Sequence, residues 1–295
     1  MQVSHTLITT DLSDEAMVAL PHAATLARVH SSKVTVLHAN RVWNGAADDS
    51  TVRDGRLDDV RRTLEAMGIA ARVEVVDGDP APVIDDYIAE SSVDLVICTH
   101  HAASVASPLH NSISNHLVRT AKCPVLVAHG PSTPPTVDVQ PATYSRVFVS
   151  SDFSKPSLAG LRATAELSMV LGATVVVGHV VEVKGLGVLK GDELVLPQTP
   201  DEFAARVKSA TVELGAIVED LYNDNVSVKV VCAESAAQGI VALALANECD
   251  LIVVPSHGKG PLIRLLLGST AQAVLDLSPL PVLVLRRGRA ERDVG

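Results

Sequence analysis

The chain has 295 residues, 47% apolar, 20% charged and 2% aromatic, with a formal net charge of −10. This composition marks a folded globular protein whose cores are built from Val, Leu, Ile and Ala. The acidic excess repels phosphate backbones and anionic lipid, and no apolar run approaches the roughly 18 residues of a membrane span, so nucleic acid and membrane are both excluded as expected partners.

Met1 runs directly into the strand-like HTLITT without a charged leader and apolar stretch, which reads as a cytoplasmic protein. Strands are then expected over 5–10, 33–39, 71–76, 94–98 and 124–128, and helices over 14–30, 51–67, 81–91 and 112–121. Continuous apolar strands such as LVIC and VLVA imply burial on both faces, hence a parallel sheet with helices on either side. Ser13 and Ser154 are candidate N-caps for the helices after each first strand, with Pro156 placed in a first turn.

The pattern then starts again. DLSDEAMVALPHAATLARVHSSKVTVLH from Asp11 aligns without gaps at an offset of 141 with DFSKPSLAGLRATAELSMVLGATVVVGH from Asp152, and VDLVIC near Asp94 answers CDLIVV near Asp250. A repeat of this length is a domain, not a solenoid unit. The expected fold class is α/β, with two tandem five-stranded, doubly wound, Rossmann-like domains over 1–130 and 145–290. Residues 131–144 form a Pro-rich linker. The second copy carries an insertion over 184–200, with a turn at Lys190-Gly191-Asp192, that serves either as a plain loop or as a lid or interface element.

Cys98, Cys123, Cys232 and Cys249 show no CxxC spacing and read as reduced and structural. His100, His101, His110 and His116 crowd one segment, but a solvated loop and helix start explain them more cheaply than zinc, and no metal site is assigned. His38 and His179, closing each second strand, read as hydrogen-bonded structural histidines. No catalytic constellation emerges: there is no GxSxG, HExxH or GxxxxGK[ST].

In an open parallel sheet a ligand sits beyond the carboxyl ends of the strands, which singles out Asp11 and Asp152 after the first strands and the stretch PSHGKGPLIRLLLGST after the second copy's fourth. Its Gly258 and its Gly268-Ser269-Thr270 step at a helix start suit an anion, because glycine admits close approach and free N–H groups favour negative charge.

On these residues the chain resembles the universal stress protein family in tandem form. The family signature is similar to G-x2-G-x9-G-[S/T], with an Asp closing the first strand. The resemblance implies strand order 3-2-1-4-5 and an antiparallel pairing of the last strands, PVLVA and PVLVL, that makes the two halves an internal pseudo-dimer and leaves room for a dimer of chains. It implies an adenine nucleotide, ATP or AMP, with Mg2+ as an optional companion. The implied nucleotide residues are Ser151, Asp152, Val180, Val254, Gly258, Gly268, Ser269 and Thr270. Pro255 stands where the signature has its first glycine, fixing φ and removing an N–H donor. In the first half Asp11, Ala39, Asn111 and Ser112 outline a degenerate counterpart whose glycines are gone. The expectation is a stress-response or regulatory protein holding a nucleotide in its C-terminal domain. The alternatives are a nucleotide-free scaffold acting through unknown protein partners, and a slow ATPase.

Overall fold

A computed structural model describes residues 2–40, 50–100, 112–129, 139–183, 189–190, 193–194, 199–222, 225–256 and 267–286. These residues fall into two compact units. The first holds the described residues of 1–143 and 279–295 together with Leu267, and the second those of 144–261 and 268–278.

The first unit runs β1 (His5–Thr10), a 3-10 turn (Glu15–Val18), α1 (Ala19–His30), β2 (Lys33–Asn40), α2 (Ser50–Ala66), β3 (Ala71–Asp77), α3 (Pro80–Glu90), β4 (Leu95–Thr99), α4 (Ser112–Thr120) and β5 (Val125–Ala128). Its first five strands are parallel in the order β3-β2-β1-β4-β5, the expected 3-2-1-4-5. The second unit runs β6 (Arg146–Ser150), α5 (Lys155–Leu171), β7 (Thr174–Glu182), a small antiparallel pair β8 (Leu189–Lys190) and β9 (Glu193–Leu194), α6 (Pro200–Leu221), β10 (Val226–Ala233), α7 (Ala236–Ala246), β11 (Leu251–Pro255) and α8 (Ser269–Leu277). Its parallel strands β10-β7-β6-β11 repeat the same order. The last strand among the described residues, β12 (Val282–Leu285), lies in the first unit, antiparallel to β5 with Val282 opposite Val127 and Val284 opposite Val125. This is the antiparallel pairing of PVLVA and PVLVL that the resemblance implies.

Burial explains the continuous apolar strands. Every residue of LVIC, VLVA and VLVL is buried, and β1 is buried along all but its last position. Such strands are read out as parallel sheet because helices cover both faces.

The repeat extends to local backbone. Leu12 and Phe153, at equivalent positions, both take left-handed φ values of 62° and 63°. In each turn an aspartate accepts from the serine N–H two residues on, Asp11 from Ser13 and Asp152 from Ser154, both at 3.0 Å. Asp94 accepts from the Ser4 and His5 N–H groups, and Asp250 does the same for Ser145 and Arg146. Each of these carboxylates pins the start of the first strand against the fourth.

Two details differ from expectation. The helix expected from residue 14 opens as the 3-10 turn, with Ser13 Oγ accepting from the Ala16 N–H, before α1 proper begins at Ala19. Cys232 is exposed on the edge strand β10, unlike buried Cys98, Cys123 and Cys249, because it sits where only one neighbouring strand, β7, covers it. Within the expected linker, Ala142 is tied to α1: its N–H donates to the Pro21 carbonyl at 3.0 Å and its own carbonyl accepts from the Thr25 hydroxyl.

Candidate functional site at the carboxyl end of the second sheet

Register places the turn that carries Ser151 and Asp152 at one edge of the second unit. Ser150 lies beside Gly178 on β7, and Val149 beside Val253 on β11, so the turn after β6 sits between the carboxyl ends of β7 and β11. This is the point at which the strand order reverses.

The turn is held tightly. The Ser151 N–H donates to the Gly178 carbonyl at 2.9 Å, and the Ser151 carbonyl accepts from His179 Nδ1 at 2.7 Å. A carbonyl only accepts, so this bond fixes the proton on Nδ1. Buried Ser151 Oγ accepts from the Phe153 N–H and meets Ser157 Oγ, both at 3.2 Å. The left-handed Phe153 swings the chain into α5 and lays its ring 4.7 Å from the His179 ring, centroid to centroid. Ser154 caps α5 by accepting from the Ser157 N–H, with Pro156 in the first turn as the sequence predicts. His179 is therefore engaged in holding the turn on which Asp152 stands.

Val180, half-buried and two residues before the end of β7, is packed over Gly239 of α7. A Cβ on Gly239 would stand 2.7 Å from both methyl carbons of Val180, so only glycine lets the helix approach here. Val254 belongs to the core, with 1% of its surface exposed, so its side chain is not available to a ligand.

The start of α8 is drawn to the same edge by the Gly268 N–H, which donates to the carbonyl of buried Ser256 at 2.9 Å, one residue past β11. Helices α5, α6 and α7 begin on Ser154, Thr199 and Ser235, each of whose hydroxyls accepts a first-turn N–H; Thr199 and Glu202 form a reciprocal capping box. Helix α8 alone among these four begins on a glycine, with no side-chain cap, and Ser269 and Thr270 in its first turn are exposed. An uncapped helix start directs N–H groups and positive partial charge outward. Gly258 lies outside the described residues.

The first unit preserves the turn and changes its surroundings. Asp11 Oδ1 accepts from both the N–H and the hydroxyl of Ser13, at 3.0 and 2.6 Å, and His38 Nδ1 donates to the Thr10 carbonyl at 3.0 Å. Ala39 is half-buried, Ser112 is the first residue of α4, and Asn111 lies outside the described residues. Where the second unit has Ser256 after its fourth strand, the first has His100, whose ring lies 5.2 Å from that of His129. His22 of α1 belongs to this group: its imidazole is pushed down to about 4, first by burial and then by the charge of His129. These three histidines are scattered in the chain, and His22 and His129 escaped sequence reasoning, which weighed only the crowded segment and the histidines of the second strands. His116 instead reaches Asp85 of α3, Nε2 to Oδ2 at 2.8 Å; His101 and His110 lie outside the described residues. Among the described residues no three His, Cys, Asp or Glu side chains are grouped to hold a metal ion.

Residues 3–129 and 143–286 each match the profile of the Universal stress protein family. Universal stress protein Rv2005c of Mycobacterium tuberculosis is 27% identical over 241 residues, covering 77% of this chain and 74% of that protein. A universal stress protein of Mycolicibacterium smegmatis is 26% identical over 300 residues, covering 95% and 96% of the two chains. The crystal structure of a universal stress protein from Archaeoglobus fulgidus superposes with a TM-score of 0.69 at 23% identity, covering 98% of each chain, a likeness of fold.

Proposed function

Since the chain belongs to the universal stress protein family, we propose that its second unit binds an adenine nucleotide, ATP or AMP, at the carboxyl end of β6, β7 and β11. The observation that carries this reading is the uncapped start of α8, held beside the β6 turn by the Gly268–Ser256 bond. In this reading the exposed N–H groups and hydroxyls of Ser269 and Thr270, with Gly268 and Gly258, receive the phosphates. Ser151 and Asp152 meet the ribose and adenine, and Val180 lines the base. Mg2+ accompanies ATP through the phosphates. Occupancy then reports a stress or regulatory signal in the cytoplasm to protein partners.

A specific observation favours a second reading. Pro255 ends β11 where the signature places its first glycine, so one backbone donor is missing beside the phosphates. A chain that had lost nucleotide altogether would act as a scaffold.

The test is to denature freshly purified protein, identify any released small molecule by mass spectrometry, and record melting shifts with ATP and AMP. Ligand at about 100 times its dissociation constant adds about 2.7 kcal/mol to the native state, a readily measured shift. Gly268 has φ of −61°, so Gly268→Val introduces no backbone strain and should abolish the shift without unfolding the protein. Absence of both released nucleotide and shift in the parent protein overturns the nucleotide reading and leaves the scaffold standing.

A further inference from the structure

Strand β3 is the outermost strand of the first unit, and among the described residues no strand pairs with its outer side. Long exposed edges invite pairing with another chain unless they are short, bulged or guarded by unmatched charge. β3 is seven residues long, contains no proline, and exposes Val75 and Val76 at 39% and 37%.

Its outward hydrogen-bonding groups can be assigned. The Gly78 N–H donates to the Asn40 carbonyl, so the even-numbered residues of β3 direct their backbone groups at β2, and Ala71, Val73, Val75 and Asp77 direct theirs outward. Charge is distributed in step with this. Arg72 and Glu74 are even-numbered, lie on the face covered by α3, and pair with each other at 2.9 Å, while Glu74 also accepts from the Tyr87 hydroxyl of α3.

We propose that β3 is a self-complementary edge that recruits a second copy of this chain by antiparallel, two-fold strand pairing centred on Val73. In that register Val73 faces Val73 of the second copy and Ala71 faces its Val75, giving about six new backbone hydrogen bonds from the outward groups. Arg72 falls opposite Glu74 of the second copy, twice by symmetry, at the non-hydrogen-bonded positions where side chains approach most closely. Val75 and Val76 are covered by Ala71 and Ala70 of the second copy. Sliding the centre to Arg72 or Glu74 brings like charges together, and centring on Val75 loses both opposite-charge pairs, so charge selects the register. The other outer strand, β10, contains Lys229 and no acidic residue, and offers no such match.

The experiment is sedimentation of the full chain over a concentration series, in the parent and in Arg72→Glu, Glu74→Arg and the double exchange. The parent is expected to dimerise. Each single reversal sets two like-charge pairs where opposite charges stood and should weaken the dimer about tenfold or more, while the double exchange should restore it. A mere folding defect from losing the Tyr87 bond would persist in the double exchange. In a Cys232→Ser background, Val73→Cys should form disulfide-linked dimers on mild oxidation, because the two Cα atoms in such a pair stand about 5.5 Å apart. A parent that stays monomeric overturns the proposal. So does a dimer that survives both single reversals, or one that Val73→Cys fails to cross-link, since either means that another surface mediates it.

Discussion

Gly239→Ala is a sharp test of how Val180 is positioned, because two effects of opposite sign compete. Replacing glycine by alanine inside a helix ordinarily stabilises by about 1 kcal/mol through backbone entropy. Here the new methyl carbon would stand 2.7 Å from both Cγ atoms of Val180, closer than real Cβ atoms come, and 3.1 Å from the Ala233 Cβ, a tight contact. Neither obstacle is the far end of a flexible side chain: Val180 is β-branched with few rotamers and Ala233 has none. Forcing a methyl into such a site costs typically about 1–3 kcal/mol, so against that gain the net change should be destabilising by up to about 2 kcal/mol. The same push would shift Val180 along the edge that the nucleotide reading gives to the base, so affinity for AMP should fall with stability. Val180→Ala removes the two colliding methyl groups, and in that background Gly239→Ala should become neutral or stabilising. Urea unfolding of the four proteins of this cycle measures the coupling, expected at about 2 kcal/mol. A Gly239→Ala protein as stable as the parent, with coupling near zero, would refute the argument that the helix is held against Val180.

Acid should destabilise the first unit through His22. Its folded pKa is lowered from 6.5 to about 4, so between those values the unfolded chain takes up a proton that the native state refuses. Stability present above pH 6.5 is lost as pH falls towards 4, by at most about 3 kcal/mol, and His22→Gln should remove that part of the slope. His5 and His30, lowered chiefly by burial, act in the same direction and leave a residual slope in the variant. Val284→Asp places a carboxylate opposite Val125 at a fully buried position and should cost more than about 3 kcal/mol in a denaturant titration; unchanged unfolding would contradict the β5–β12 pairing. With a thiol reagent Cys232 should react rapidly and alone in the native protein, since burial raises the Cys98 thiol to about 12 and, as the larger of its causes, that of Cys249 to about 11. Fast labelling of three or four thiols would show that the buried cysteines are open to solvent.

Much of this architecture is legible in the sequence because its signals are local. Apolar runs of four to six residues mark the strands, and DFSKP announces both the turn and the Ser154 cap before α5. The TPDE at Thr199–Glu202 carries an equally local signal, a capping box, that closes the 184–200 excursion and can be found by spacing alone. What the sequence conceals depends on the third dimension. Gly239 looks like any helical glycine until Val180 is set against it. Val254 sits at the right distance from the glycine signature, yet both faces of β11 are covered and its side chain lies in the core. His22, His100 and His129 come together only because α1 and the ends of β4 and β5 share one edge.

The β5–β12 pairing bears on the order in which the protein can form. β5 is synthesised well before the strand that saturates its outer edge, which consists of residues 282–285 far downstream. During the intervening elongation the nascent first half carries a fully apolar strand, VLVA, with one row of N–H and C=O groups unmatched. Closing so long a loop is entropically slow, and an unmatched apolar edge is where neighbouring nascent chains would add. The pairing therefore makes the first unit depend on a distant segment: its sheet is sealed only once residues 282–285 have been translated, and fragments ending near residue 130 should aggregate where the longer chain does not.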